Sequence, residues 1–404
     1  MNKKLARNWL YFIWGIANTV VLTVAFVTKG KVFKKIFFAM SLGFEQFGDF
    51  FGPICWHYQG INVYEIYDCN FPALGVAFFD FFSRILNVSD NTSQTGLMNS
   101  AYGAVIFMIF VVTTFILFTF AIELLVGTDI EKKWEKYYIS ISLVCSFPFM
   151  GYAVKTGNVV FFVLTLMMLA IGLKDSENKY CREIALLLIA FCAGMKIFPA
   201  ALGLLYLKEK RWKESLRLVI YGIIFFFVPF LIYGGWSAIC LFFKNMSYHG
   251  ETILSVGTIP WYTTIFANSI GRPEFASILG KICVFVWCVI VLYLFFLNQY
   301  SWSGYLLLFS LFFIGSGVQQ AYNLVYITIP FLRWIADVKR DKLEKLGVND
   351  IVVPSLFIAI LYCYNWQVEY VFVWILLMVA LVIEVRKCCS RVFVSTCDKN
   401  VINQ

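Results

Sequence analysis

The chain has 404 residues, of which 61% are hydrophobic and 14% charged, and its formal net charge is +9. A soluble domain carries about 25% charged and about 45–50% apolar residues, so this composition excludes a soluble globular protein. The apolar runs are continuous and do not alternate with polar residues, which also excludes a membrane β-barrel. The composition therefore predicts an all-α polytopic membrane protein, whose helices satisfy every backbone amide internally.

The positive charge lies mostly in short basic loops between apolar runs, as the positive-inside rule expects for cytoplasmic loops. It therefore indicates membrane lipids as partners and does not indicate nucleic acid. The chain has 12 Cys without metal-ligand spacing and only two His, so we expect no metal and no cofactor. Cys55 and Cys69 share one loop, where free thiols are favoured over a disulfide.

In chain order, a basic start is followed by a first span that ends near Thr28 and is long enough to stay as an anchor. Residues 29–71 then form a first extracytoplasmic loop, and residues 236–274 form a second large one. The apolar runs between and after these loops give about 11–13 membrane segments. Residues 1–404 are accordingly expected to form a single integral membrane domain, in which the topology of residues 72–96 is left open.

The apolar run Ile184–Leu207 has an unusual position, because basic loops flank it on both sides. Both loops are cytoplasmic only if this run enters the membrane and returns to the same face. Lys196 and Pro199 lie near its centre, where a proline breaks a helix and a charge is costly in lipid. The sequence therefore predicts a broken, re-entrant hairpin. Lys196 would either reach the headgroups or hold an anionic phosphate, and the residues alone leave both roles open.

Several polar residues on the predicted outer face are candidates for chemistry. Asp49 follows the first span among bulky apolar residues, where a carboxylate is costly unless it has a partner or a role. An ordinary loop acid facing water is the alternative for Asp49. The further candidates are Tyr67, Asn158, His249, Arg272, Gln320, Tyr322 and Asn323. For these residues the alternative is a structural role at a helix start, a loop end or an interfacial contact.

The order of these features resembles that of GT-C glycosyltransferases, specifically the bacterial polyprenyl-phosphate-mannose-dependent mannosyltransferase-like family. The likeness covers most of residues 1–340. The chain departs from the family pattern at Phe71-Pro72-Ala73, where Tyr-Pro-Pro is usual, and these departures concern the sugar more than the fold. The resemblance is carried by Asp49, Phe71-Pro72, Pro148, Gly157-Asn158, Gly194 to Pro199, Lys210-Arg211-Trp212 and a late Gln320-Ala321-Tyr322-Asn323.

The resemblance implies a GT-C-type bundle whose extracytoplasmic loops form the site, in a bacterial plasma membrane. It implies an inverting transfer of a mannose-like hexose from a polyprenyl-phosphate donor to a polysaccharide or glycolipid acceptor of the cell envelope. Asp49 would be the general base, and Lys196, His249 and Arg272 would hold the donor phosphate. The sugar-binding residues would be Tyr67, Asn158, Gln320, Tyr322 and Asn323.

Two other classes of function stay open. A lipid-linked sugar transporter would show charges on several membrane helices and two related halves, neither of which is evident. A polysaccharide polymerase or ligase would favour Arg and His in large outer loops, whereas this chain has an early Asp. The sequence therefore favours the glycosyltransferase.

Overall fold

The fold is described by a computed structural model that covers residues 3–32, 47–56, 63–89, 92–127, 133–252, 254–298, 300–315, 321–339 and 349–402. Every regular element in these ranges is a helix. The chain divides into two compact units. We call Val20–Thr252 the central unit, and Met1–Thr19 together with Ile253–Gln404 the terminal unit.

Among the described residues, five helices are long and apolar enough to cross a membrane. They are Ala6–Val27, Ala101–Val126, Trp212–Ile232, Pro273–Leu297 and Gln367–Ser390. A sixth candidate is a pair, Trp134–Val144 and Phe147–Val154, bent by 53° at its break. Shorter apolar helices account for several of the other predicted segments. The all-helical, multi-span fold is thereby confirmed, and the count of 11–13 segments stays a prediction.

The central unit contains eleven helices in its described part, besides the end of the helix that opens the chain, α1 (Lys3–Val27). The first six are α2 (Gly48–Trp56), α3 (Val63–Ile66), α4 (Ala73–Ile85), α5 (Gln94–Asn99), α6 (Ala101–Val126) and α7 (Lys133–Val144). The other five are α8 (Val160–Leu173), α9 (Lys179–Met195), α10 (Gly203–Lys208), α11 (Trp212–Phe227) and α12 (Trp236–Thr252). A π-helix, Phe147–Val154, precedes α8.

Helices α8 and α9 form an antiparallel hairpin. The sequence of α8 is apolar throughout, and nearly every residue of it is buried. Asn178 begins α9, and its side chain accepts a hydrogen bond from the Tyr180 N–H, as a helix N-cap does. Near the other end, Cys192 of α9 lies against the carbonyl of Val163 in α8. The residue before α8 and the residue after α9 therefore lie at the same end of the hairpin.

The predicted break in the run Ile184–Leu207 is confirmed. Helix α9 ends at Met195, and Lys196 adopts an extended conformation with φ −145° and ψ 132°. A 3₁₀ turn containing Pro199 follows, and α10 leads the chain back. The return is complete, because the Arg211 guanidinium after α10 donates to the Asp175 carboxylate at 3.0 Å, at the start of the hairpin loop.

The terminal unit contains six further helices in its described part: α13 (Ile259–Ser269), α14 (Ala276–Leu297), α15 (Trp302–Phe313), α16 (Thr328–Lys339), α17 (Asn349–Tyr362) and α18 (Trp366–Ile402). The region predicted as the second large loop, residues 236–274, is largely occupied by α12 and α13. Within this unit Glu384 of α18 is 1% exposed. It accepts hydrogen bonds from Ser301, Ser303 and Lys387, and so ties α18 to the start of α15.

Candidate active site

Asp49 lies in the first turn of α2, where the helix dipole favours a negative charge. The next residue, Phe50, fixes the helix in place. Its ring is fully buried among five other rings, and truncation of such a buried Phe costs about 3–5 kcal/mol. Asp49 therefore lies on a short helix that the buried Phe50 ring holds in place. The rings around Phe50 belong to Phe51, Phe79, Phe82, Phe107 and Phe110.

The half-buried Asp49 carboxylate is bonded to Asn158 at the end of the α8–α9 hairpin. The Asn158 Nδ2 donates to Asp49 Oδ2 at 2.8 Å. The same side chain accepts a hydrogen bond from the Val160 N–H at its Oδ1, at 3.0 Å. Because a backbone N–H requires an acceptor, this second bond fixes which way the amide points. The Asn158 side chain can therefore present only its NH₂ group to Asp49.

Gly157 allows this pairing by letting two backbone segments approach. It has φ +74°, which an L side chain rarely adopts. A Cβ placed there would lie 2.8 Å from the Phe50 Cβ and 3.2 Å from the Phe47 Cα. The Phe47 N–H also donates to the Lys155 carbonyl at 2.9 Å. The turn before α8 and the segment that carries Asp49 are thus built against each other.

Lys196 supplies a cation at the same end of the hairpin. Its side chain is half-buried, and its ammonium lies 5.6 Å from the centre of the Phe71 ring. Burial lowers the pKa of the Lys196 ammonium, and the negative charge of Asp49 opposes this shift. Close packing of α4 on the end of α9 holds the region together, since a Cβ on Gly75 would lie 3.0 Å from the Met195 carbonyl oxygen. The structure therefore brings the predicted acid, amide and cation together.

The chemistry available at this end of the hairpin is that of a base and a fixed cation. Among the described residues, the Asp49 carboxylate is hydrogen-bonded through Oδ2 alone, which leaves Oδ1 to accept a proton from a hydroxyl group. A fixed ammonium in a poorly solvated site stabilises negative charge that develops on a leaving group. The arrangement suits a displacement in which a hydroxyl is deprotonated and an anion departs.

His249 has a different neighbour from the predicted phosphate. Its Nε2 is 3.0 Å from the Asp68 carbonyl oxygen, so this nitrogen carries the proton and donates. One helical turn earlier, Asn245 is 5% exposed and donates to the Tyr64 and Cys69 carbonyls. The two side chains of α12 therefore hold the loop after α3 in place. Phosphate binding by His249 stays a prediction.

Tyr67 lies in that loop, half-buried and stacked on Trp56 with ring centroids 5.1 Å apart and planes 10° from parallel. Cys55 and Cys69 are both free thiols, as the sequence favoured. Burial raises the pKa of the Cys69 thiol to about 12, which disfavours its thiolate form. A sugar-binding role for Tyr67 stays a prediction.

The remaining candidates belong to the terminal unit, and their roles stay predictions. Arg272 is exposed and forms an ion pair with Glu274 at 3.5 Å. Tyr322 is half-buried and Asn323 is buried, both in a 3₁₀ helix that runs from Ala321 to Ile327. Gln320 lies outside the described residues.

The contact between Asn158 and Asp49 was missed by the sequence analysis, which assigned Asn158 to the substrate. Asn158 directly precedes a long apolar run, which indicates a helix cap. No local pattern, however, points to a partner 109 residues away. The role of Phe71 beside Lys196 was missed for the same reason, although the Phe-Pro pair itself had been singled out.

An all-helical, multi-span chain with a half-buried acid and cation at one hairpin end fits a membrane enzyme that transfers a group. The model for glycosyltransferase family 87, a GT-C-like family, matches residues 96–317, which is more than half of the chain. The chain therefore belongs to glycosyltransferase family 87. No curated protein and no solved structure gives a significant match. The matched region includes Asn158 and Lys196 and begins after Asp49.

Proposed function

We propose that this glycosyltransferase moves a hexose, mannose-like in type, from a polyprenyl-phosphate donor to a glycan or glycolipid of the cell envelope, with inversion. The observation that carries the proposal is that the Asp49 carboxylate and the Lys196 ammonium lie at the same end of the α8–α9 hairpin. A base for the acceptor hydroxyl and a cation for a departing phosphate are the two groups that such a transfer needs.

In the proposed reaction, Asp49 Oδ1 takes the proton of the acceptor hydroxyl as the hydroxyl oxygen attacks the anomeric carbon of the sugar. The bond from that carbon to the phosphate oxygen breaks, and the polyprenyl phosphate leaves with the electron pair. Lys196 neutralises the charge that grows on this phosphate. Attack from the side opposite the leaving group inverts the configuration of the sugar.

The site's place in a hairpin of apolar helices supports a lipid-linked donor, because the prenyl chain of such a donor stays in the bilayer while its phosphate reaches Lys196. We propose that the protein is a bacterial plasma-membrane enzyme whose site opens to the outer face. Nucleotide sugars are cytoplasmic, which is a further reason to place the sugar on a lipid.

The test is sugar transfer by purified protein in detergent, with envelope extract as the acceptor source. The donors are radiolabelled polyprenyl-phosphate mannose, glucose and galactose, each paired with the corresponding nucleotide sugar. We expect transfer from one polyprenyl-phosphate hexose and none from nucleotide sugars, with an inverted anomeric configuration in the product by NMR. Transfer from a nucleotide sugar alone, retention of configuration, or no transfer from any donor would overturn the proposal.

A further inference from the structure

We propose that Asn158 is a positioning residue, not a sugar ligand: its amide holds the Asp49 carboxylate in one orientation and leaves Oδ1 for the acceptor. The catalytic part of this inference rests on the proposed function. The pairing itself rests on geometry alone.

The first reason is that the Asn158 side chain is already committed inside the protein. Asn158 is 4% exposed, and its Oδ1 is occupied by the Val160 N–H. Its backbone N–H donates to the Ala153 carbonyl at 2.9 Å. A residue fixed at its backbone, its Oδ1 and its Nδ2 cannot turn toward a bound sugar without breaking one of these bonds.

The second reason is chemical. An amide N–H donates to a carboxylate and favours its charged form, which a base requires. Unlike an imidazole or a second carboxyl group, an amide does not take up a proton in the working pH range, so it cannot compete with Asp49 for the acceptor's proton. The bond also removes rotational freedom from the carboxylate, and misplacement of a catalytic group by about 1 Å can cost about 100-fold in rate.

The chain offers a matched control in Asn178, at the opposite end of the hairpin. Both asparagines accept the N–H of the residue two positions on, Asn158 from Val160 and Asn178 from Tyr180. Only Asn158 contacts Asp49. Substitution to Asp keeps an accepting oxygen at both positions and replaces the NH₂ group with a charged carboxylate oxygen. Because the added charge is common to both variants, the pair Asn158→Asp and Asn178→Asp isolates the contact with Asp49.

The first experiment needs no activity. Melting temperatures in detergent at pH 7 are compared for wild type, Asn158→Asp, Asp49→Asn, the double exchange Asp49→Asn with Asn158→Asp, and Asn178→Asp. We expect Asn158→Asp to melt well below wild type, because two carboxylates then face each other, and the double exchange to recover most of that loss. Asn178→Asp is expected to melt like wild type. Equal melting of Asn158→Asp and Asn178→Asp, or no recovery in the double exchange, would overturn the pairing.

The second experiment separates positioning from substrate binding. With the donor that wild type uses, we expect Asn158→Ala to lower kcat by about 10- to 100-fold and to leave the donor and acceptor KM within about twofold. Asn178→Ala loses the same kind of helix cap and is expected to keep kcat. A raised KM with unchanged kcat would make Asn158 a substrate ligand and overturn the inference.

The two proposals fail in different ways. If wild type transfers no sugar from any donor, the proposed function is wrong and the catalytic part of this inference falls with it. The melting cycle still decides whether Asn158 and Asp49 are coupled. If wild type is active and the cycle shows no coupling, only the inference is wrong.

Discussion

Both ends of the α8–α9 hairpin have an asparagine whose side chain accepts the N–H two residues on, yet the charges around the two are satisfied in opposite ways. At the Asn178 end, Lys174 is 3% exposed and pairs with Asp175 and Glu209. Arg211 pairs with the same two acids and with Glu214. Each of these charges therefore has a counter-charge, and the network ties the hairpin loop to the returning chain.

At the Asn158 end, the acid is bonded to a neutral amide, and the cation lies over an aromatic ring within the field of that acid. This arrangement keeps the charge of Asp49 and leaves one of its oxygens for a ligand. The ion pairs of Lys174 and Arg211 therefore form a structural clasp, whereas the Asp49 carboxylate, held by a neutral donor, keeps one oxygen available for chemistry.

Among substitutions at the two ends of the hairpin, the largest loss of activity is expected at Lys196. Lys196→Met keeps the apolar stem and removes the charge that would stabilise the leaving phosphate, a contribution of roughly 3–4 kcal/mol for comparable groups. We expect kcat/KM for the donor to fall by about 100-fold or more, with the acceptor KM little changed. Lys213→Met, on an exposed site after Arg211, is the control and should behave as wild type. Full donor use by Lys196→Met would leave Lys196 as a residue that only reaches toward the headgroups.

Gly157→Ala is expected to have the next largest effect. It combines a positive φ with a Cβ 2.8 Å from the Phe50 Cβ, so both the turn and the anchored helix must move. The φ strain alone costs about 1–2 kcal/mol. We expect a lower melting temperature together with reduced transfer, because Asp49 is carried on the displaced segment.

Gly235→Ala separates the two causes, since Gly235 has φ +61° and no atom within 4 Å of an added Cβ. This control should lose a little stability and keep its activity. Equal losses of activity in the two variants would show that the turn at Gly157 is not coupled to the site.

Glu209→Gln is expected to have a smaller effect, confined to stability. It removes one of the two acids that neutralise the buried Lys174 ammonium, and Asp175 remains. Loss of a charged hydrogen bond at a partly buried site costs about 1–3 kcal/mol. The melting temperature should fall while kcat per folded molecule stays within about twofold of wild type. A matching fall in kcat would mean that the clasp also controls the chemistry.

Much of the fold follows from the sequence, because a bilayer leaves few choices. The break in the apolar run Ile184–Leu207 was predictable because Lys196 and Pro199 each oppose a continuous apolar helix. Asp49 was predictable as a candidate because a carboxylate among aromatic residues is costly unless it has a partner or a role. These predictions depend on local chemistry, which the sequence records directly.

The contacts that complete the site could not be predicted in this way. Asn158 reaches Asp49 across 109 residues, and His249 reaches the carbonyl of Asp68 across 181. One polar residue beside an apolar run has many possible partners, and only the packing of α2, α8 and α12 selects among them. For the same reason the contact of His249 with the Asp68 carbonyl could not be predicted, and its phosphate role stays a prediction.

The most direct test of the account is a side-by-side measurement of kcat at saturating donor for Asp49→Asn and Asn178→Ala, with the melting temperature of each. We expect Asp49→Asn to lose about 100-fold or more in kcat, as for removal of a general base, and to stay folded. We expect Asn178→Ala to keep kcat within about twofold while losing about 1 kcal/mol of stability with its cap. Retained turnover in Asp49→Asn, or equal losses of kcat in the two variants, would contradict the assignment of the chemistry to the Asp49 end of the hairpin.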